Sequence, residues 1–188
     1  MTDISYFGGH FLVAVPSLQD PNFLRSVTYI CEHNADGAFG IVINRELDAT
    51  ISDIFRELKL TCVEDAPGLK QKVFSGGPVD IERGLVLHQP AGHWKSTLIQ
   101  NNELAVTSSL DILTAIGQNQ GPEKFIMVLG YAGWGAGQLE QEMAANAWLS
   151  APANLDVIFD TPASQRWEKA AQSMGIDIRL LSSDIGHA

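Results

Sequence analysis

Residues 125–149 constrain this chain more than any other stretch. They read FIMVLG, then YAGWGAG, then QLEQEMAANAWL: an apolar run, a glycine-rich segment and an amphipathic segment. Residues 125–129, bounded by Pro122 and Gly130, predict a strand buried on both faces. Gly130, Gly133, Gly135 and Gly137 surround Trp134 and predict a tight turn, because glycine tolerates positive φ and close backbone approach. A helix is then expected, with Leu139, Met143, Ala147 and Leu149 roughly toward one side. Gln138, Glu142 and Asn146 recur at i, i+4 and i+8, which makes them a separate polar stripe. Glu140 and Glu142 fall in the first turns, where carboxylates suit the positive end of the helix dipole. Residues 155–159 read as the next strand, parallel to 125–129 through a right-handed crossover.

A glycine-rich segment between strand and helix invites a dinucleotide-binding reading. The spacing G-x-x-G-x-G-x-G matches neither the Rossmann fingerprint nor the P-loop, and Gln138 stands where the third Rossmann glycine belongs. Asp160, after residues 155–159, is placed as a ribose contact would be, yet too little chain follows to complete a second mononucleotide-binding half. An anion site at exposed amides of the helix start and a structural turn that seats Trp134 remain as alternatives.

The chain of 188 residues fits one domain, here 1–188, and is long enough to bury a sizeable core. Hydrophobic content of 45% marks a globular, soluble chain, and no apolar run approaches the roughly 20 residues that span a bilayer. The N-terminus lacks the basic flank and apolar core of a secretory signal, so neither membrane insertion nor export is expected. A net charge of −10, with the Lys and Arg residues scattered, repels phosphate backbones and disfavours direct DNA binding. The two cysteines, Cys31 and Cys62, make no disulfide framework and fit a reducing cytoplasm.

Upstream, residues 7–15 predict a strand, and 26–33 with 39–44 a hairpin about Asn34-Ala35-Asp36-Gly37. Thr50 opens a helix with Asp53 three residues on and Ile51, Ile54, Phe55 and Leu58 along one face. Residues 73–75 and 83–88 read as strands around the break Gly76-Gly77-Pro78. Residues 97–100 and 104–107 predict a second hairpin turning at Asn101-Asn102. Ser108 or Ser109 caps a helix ended by Gly117. Thr161 caps a later helix with Pro162 at its first position, Gly175 stops it, 176–181 form a last strand, and 182–188 a polar tail.

Few groupings point to chemistry. Cys31 and His33 alternate on a strand, and an imidazolium beside a thiol would lower its pKa and activate it. No orienting carboxylate is specified for them. His10, His88 and His93 lack metal-ligand spacing, and Ser75 lacks a G-x-S-x-G elbow. Glu142, if its pKa were raised, would serve as a general acid or base.

Longer matches run through nearly the whole chain: Phe23-Leu24-Arg25-Ser26-Val27, Cys31-Glu32-His33-Asn34, Gly37-Ala38-Phe39-Gly40, Asn44, Ser75-Gly76-Gly77-Pro78-Val79, Arg83-Gly84, Leu87-His88 and Ser109-Leu110-Asp111. Most specific is Gly130-Tyr131-Ala132-Gly133-Trp134 followed by Gln138-Leu139-Glu140, Glu142, Asn146 and Trp148-Leu149. In these segments the chain resembles the YqgE/AlgH family, bacterial proteins of unknown biochemical function. The resemblance implies an α+β fold, a single compact domain whose mixed, partly barrel-like sheet is flanked by short helices. It brings no established enzyme activity and no cofactor. The family name carries a proposed role in transcriptional regulation, which the acidic charge directs away from DNA itself.

Two readings follow. One is a non-enzymatic cytosolic binding or regulatory module acting on a protein or small-molecule partner. Its surface would comprise Gly133, Trp134, Gln138, Glu142 and Asn146, with Cys31, Glu32, His33 and Asn44 nearby. The other is an enzyme of unassigned class using Glu142 or His33 as acid or base.

Overall fold

The computed structural model describes residues 6–101 and 104–181, and the predicted strands of the first half fall largely where the sequence pattern puts them. Strand β1 (His10–Ala14) precedes a hairpin of β2 (Val27–Asn34) and β3 (Gly37–Val42). Asn34 closes that hairpin, its Oδ1 accepting the Asp36 N–H at 2.8 Å. Strand β4 (Glu46–Thr50) runs into α1 (Ile51–Leu58), where Thr50 and Asp53 accept each other's backbone N–H in a capping box. Then come β5 (Lys72–Ser75), β6 (Val79–Gln89), β7 (Thr97–Asn101), β8 (Leu104–Thr107) and α2 (Leu110–Gly117). The last part holds β9 (Lys124–Gly135), α3 (Gln138–Ala144), β10 (Trp148–Pro152), α4 (Leu155–Phe159) and α5 (Ala163–Gln172).

The strands make one curled, half-barrel sheet in the order β10-β1-β2-β3-β9-β6-β8-β7, with β5 also on β9 and β4 on β5. β9 is its pivot. The first half of β9 pairs in parallel with β5 and antiparallel with β6, and its second half pairs antiparallel with β3. Alternation along the strands sends residues to different cores. Phe11, Leu85, Leu87 and Val128 join Val157, Ile158 and Ala170 of α4 and α5 in the largest cluster. Val86 and Met127 join Ile51, Phe55 and Ile112 from α1 and α2. Leu12 and Ile30 meet Trp134, Leu139 and Trp148 in a third cluster beneath α3. The domain is α+β, as expected.

Several expectations fail, each for a local reason. The glycine segment is no turn: β9 continues through Gly130, Gly133 and Gly135, and only Gly137, at φ +73°, releases the chain into α3. The glycines instead permit a close backbone crossing. Gly76 N–H donates to the Leu129 carbonyl at 2.8 Å, and a Cβ on Gly76 would lie 2.3 Å from the Gly130 oxygen. Helix α3 stops after Ala144, and Asn146 adopts φ +57°, so Trp148 and Leu149 belong to β10. Leu155–Phe159 is a short helix: Asn154 caps it by accepting the Asp156 N–H at 2.9 Å, and a five-residue apolar run alone does not separate helix from strand. The expected parallel pairing with residues 125–129 is therefore absent, and β5 takes that place. Residues 178–180 form a 3₁₀ turn capped by Asp177, not a strand. Thr161 does not cap α5; its hydroxyl donates to the Asp156 carbonyl, and Pro162 precedes the helix. Ser109 occupies the cap position of α2, but its hydroxyl is spent on Asp111 and on accepting the Ser96 N–H. Asn102 of the second hairpin turn and the tail 182–188 lie outside the described residues.

Candidate functional site

Of the polar stripe, Glu142 turns inward. Trp134 and Trp148 both donate their indole N–H to Glu142 Oε2, each at 2.9 Å. Gln138 Nε2 donates to the other oxygen at 3.1 Å, while Gln138 Oε1 accepts the Gly135 N–H at 3.0 Å. Phe23 packs on both indoles, with ring centroids 5.9 and 5.3 Å away. Glu142 thus braces the end of β9 against the start of β10. The Gly135 amide, just before the helix start, is thus bonded within the chain. Gly133 sits on β9 opposite Phe39, and Asn146 is exposed beyond the helix end.

Cys31 and His33 are not brought together. A β-bulge between Ile30 and Glu32 interrupts the alternation at Cys31, so the two side chains part. Cys31 enters the largest core cluster with its Sγ 3.9 Å from the Tyr29 carbonyl, and burial, with Glu32 beside it, pushes the thiol well above its usual pKa. Such a thiol is no nucleophile at neutral pH. His33 is buried elsewhere: Nδ1 accepts the Phe7 N–H at 3.0 Å, which leaves the proton on Nε2 to be donated to Glu140 Oε1 at 3.1 Å. The Tyr6 and Phe7 rings flank it at 5.0 and 5.7 Å. No sequence spacing connects residues 33 and 140; the pair exists because β9 carries α3 back over β2. Glu32 is exposed and accepts from Asn34, and Asn44 clips the start of β2 by bonding Val27 N–H and the Arg25 carbonyl, both at 2.9 Å.

The structure also shows a groove that the sequence did not mark. A cavity of about 440 Å³ lies between α1, β6 and the start of α2, and none of the candidate binding residues from Gly133 to Asn146 or from Cys31 to Asn44 lines it. Ile54, Val86, Leu113, Met127 and Leu129 line it, and Glu57 and Glu82 join the lining. Leu58, Ile81 and Leu110 border it at 49%, 65% and 57% exposure. Leu58 and Ile54, read on one face of α1 with Ile51 and Phe55, both reach this groove. The available sequence signal was Ile81 standing between Asp80 and Glu82, an apolar side chain in a charged surround.

Beneath the groove, fully buried His88 donates from Nδ1 to the Pro90 carbonyl at 2.9 Å, and its Nε2 accepts from the Thr107 hydroxyl at 2.8 Å. Burial holds this imidazole below its ordinary pKa, partly offset by the Pro90 bond. The unfolded chain binds the proton more readily, so the contribution to stability is full above about pH 6.5 and is lost as pH falls toward the lower folded value. The loss should reach up to about 1.4 kcal/mol per pH unit. Melts across that range should fall less steeply for His88→Gln than for the parent, and parallel curves would refute the assignment. His10, His88 and His93 form no metal-holding group among the described residues. Asp160, the sequence's ribose candidate, pairs with Lys124 at 2.7 Å.

Comparison with known proteins agrees with this fold throughout. A UPF0301 protein of Nitrosococcus oceani is 53% identical over 188 residues, covering 100% of both chains. One from Thioalkalivibrio sulfidiphilus is 51% identical with the same coverage. The solution structure of the AlgH protein from Pseudomonas aeruginosa superposes with a TM-score of 0.80 at 42% identity, covering 100% of this chain and 99% of that one. A Corynebacterium diphtheriae crystal structure shares the fold at TM-score 0.74 and 23% identity, over 97% and 94% of the chains. The family described as DUF179, AlgH-like, matches residues 11–179, and the chain belongs to it.

Proposed function

We propose that this protein is a non-enzymatic binding module of the cytosol, whose groove between α1, β6 and α2 takes an apolar, basic segment of a partner protein. The observation that carries this reading is the exposure of Leu58, Ile81 and Leu110 around one concave surface of mixed apolar and polar lining. Large apolar side chains concentrated on one surface mark contact sites. Glu57 and Glu82 in the lining, on a chain of net charge −10, favour a cationic occupant. Among the described residues no helix is long and apolar enough to cross a membrane. A regulatory role in transcription would then run through a partner protein, with duplex DNA repelled by the charge.

The enzyme alternative has less support. Both oxygens of Glu142 are engaged by neighbouring side chains, and the His33 nitrogens are bonded to Phe7 and Glu140. Either group would have to break internal bonds before it moved a proton. The surface of Gly133, Gln138 and Asn146 would serve as a rim contact only for a partner that also covers α3.

A fluorescein-labelled amphipathic peptide of leucine and lysine tests the reading by anisotropy. Binding should exceed that of a leucine–glutamate counterpart and fall about tenfold or more for Ile81→Glu or Leu110→Glu, a hot-spot-sized loss. Labelled duplex DNA should show no tight binding at physiological salt. Equal affinity for both peptides, or unchanged affinity in both variants, would remove the groove as the contact surface.

A further inference from the structure

A separate cavity of about 520 Å³ opens where β4 and β5 approach the start of β9 and the α4–α5 junction, and it shares no lining residue with the groove. At its wall stands Arg166 of α5, buried to 6% exposure. Its Nε donates to the Thr161 carbonyl at 2.9 Å, its Nη1 donates to the Ile43 carbonyl, and its guanidinium stacks 4.9 Å from the Phe74 ring. No carboxylate lies within ion-pair distance of it among the described residues. A buried cation held only by carbonyls and a ring is costly unless an anion completes its shell. Burial accordingly lowers this guanidinium to about 10, with Glu46 opposing through its charge.

The other charges in the cavity narrow what that anion is. Lys72 and Lys124 are already paired, with Asp48 at 3.6 Å and Asp160 at 2.7 Å. Glu46 and Glu123 line the same cavity, are exposed, and have no ion-pair partner among the described residues. An inorganic phosphate entering toward Arg166 would meet these two carboxylates. A ligand carrying one carboxylate and one ammonium would satisfy both signs. Phe125 and Phe159, each partly buried, supply an apolar wall beside them. An arginine fork suits a planar carboxylate, and two carboxylates suit an ammonium.

We propose that this cavity binds a small zwitterion, an α-amino acid with an apolar side chain, its carboxylate on Arg166, its ammonium between Glu46 and Glu123, and its side chain on Phe125 and Phe159. The free amino acid is the ligand, and no reaction is assigned to it.

Calorimetric and thermal-shift titrations with L-phenylalanine and L-leucine test this directly. Both should bind and raise the melting temperature, since a ligand specific to the folded state stabilises it. 3-Phenylpropionate and 2-phenylethylamine, each lacking one charge, should bind at least tenfold more weakly. Arg166→Lys should lose the response; because that change alters a buried group, Glu46→Gln and Glu123→Gln provide the second arm at exposed positions. Together they should weaken phenylalanine about tenfold or more while leaving the leucine–lysine peptide unaffected at the groove. The proposal is overturned if neither amino acid binds, if 3-phenylpropionate matches phenylalanine, if phosphate alone binds, or if the double glutamine variant keeps full affinity.

Discussion

Glu142→Leu is expected to cost about 3 kcal/mol of stability. The substitution keeps most of the side-chain volume but leaves the indole N–H groups of Trp134 and Trp148, both nearly buried, without their shared acceptor. An unmade bond to a buried donor costs roughly 1–3 kcal/mol, and two donors lose the same oxygen. For a chain of this length the melting temperature should fall by roughly 6–12 °C. Glu142→Gln should cost less, about 1 kcal/mol, because its remaining oxygen can serve the indoles while its amide opposes the Gln138 amide. Urea melts of both variants check the ordering. A Glu142→Leu protein within about 0.5 kcal/mol of the parent would return this residue to an ordinary surface role.

Gly77→Ala is expected to be worse, at about 4 kcal/mol or failure to fold. Gly77 has φ +150°, and a Cβ there would lie 2.2 Å from the Tyr131 carbonyl carbon and 2.5 Å from the Ala132 nitrogen. Those are backbone atoms of β9, the strand that holds both halves of the sheet, so nothing flexible can give way. Strain at such a position runs to about 1–3 kcal/mol before the displaced strand is counted. Gly175→Ala is the natural control: φ is +75° but no atom lies within 4 Å of the added carbon. It should cost only about 1 kcal/mol. If the two substitutions cost the same, the crossing at Gly76-Gly77 does not pin β9.

These two positions also show what was legible in the sequence. The concentration of glycines around Trp134 was visible, and so was the i, i+4 relation of Gln138 and Glu142. Their purpose was not, because a glycine that makes room for a distant backbone has the same local signature as one that makes a turn. The first hairpin and the Thr50 cap were readable since their causes lie within a few residues. The apolar residues of Leu155–Phe159 suit either state, and only the Asn154 cap decides for a helix. The bulge at Cys31 left no mark in the sequence, and with it went the expected thiol–imidazole pair. The groove left only Ile81 between two acids as a trace and Arg166 left none, because what surrounds either residue comes from segments far away in the chain.

The pairing of β1 has a consequence during synthesis. One edge of β1 bonds β2, which emerges from the ribosome soon afterward, but the other edge waits for β10, with His10 opposite Pro152. At about 5–20 residues per second that wait is on the order of ten seconds. For that interval the nascent chain carries a strand of apolar residues, Phe11, Leu12 and Val13, with an unpaired row of amides and carbonyls. Such an edge is a template for pairing with another chain. The first strand is therefore open to such pairing until the last one arrives.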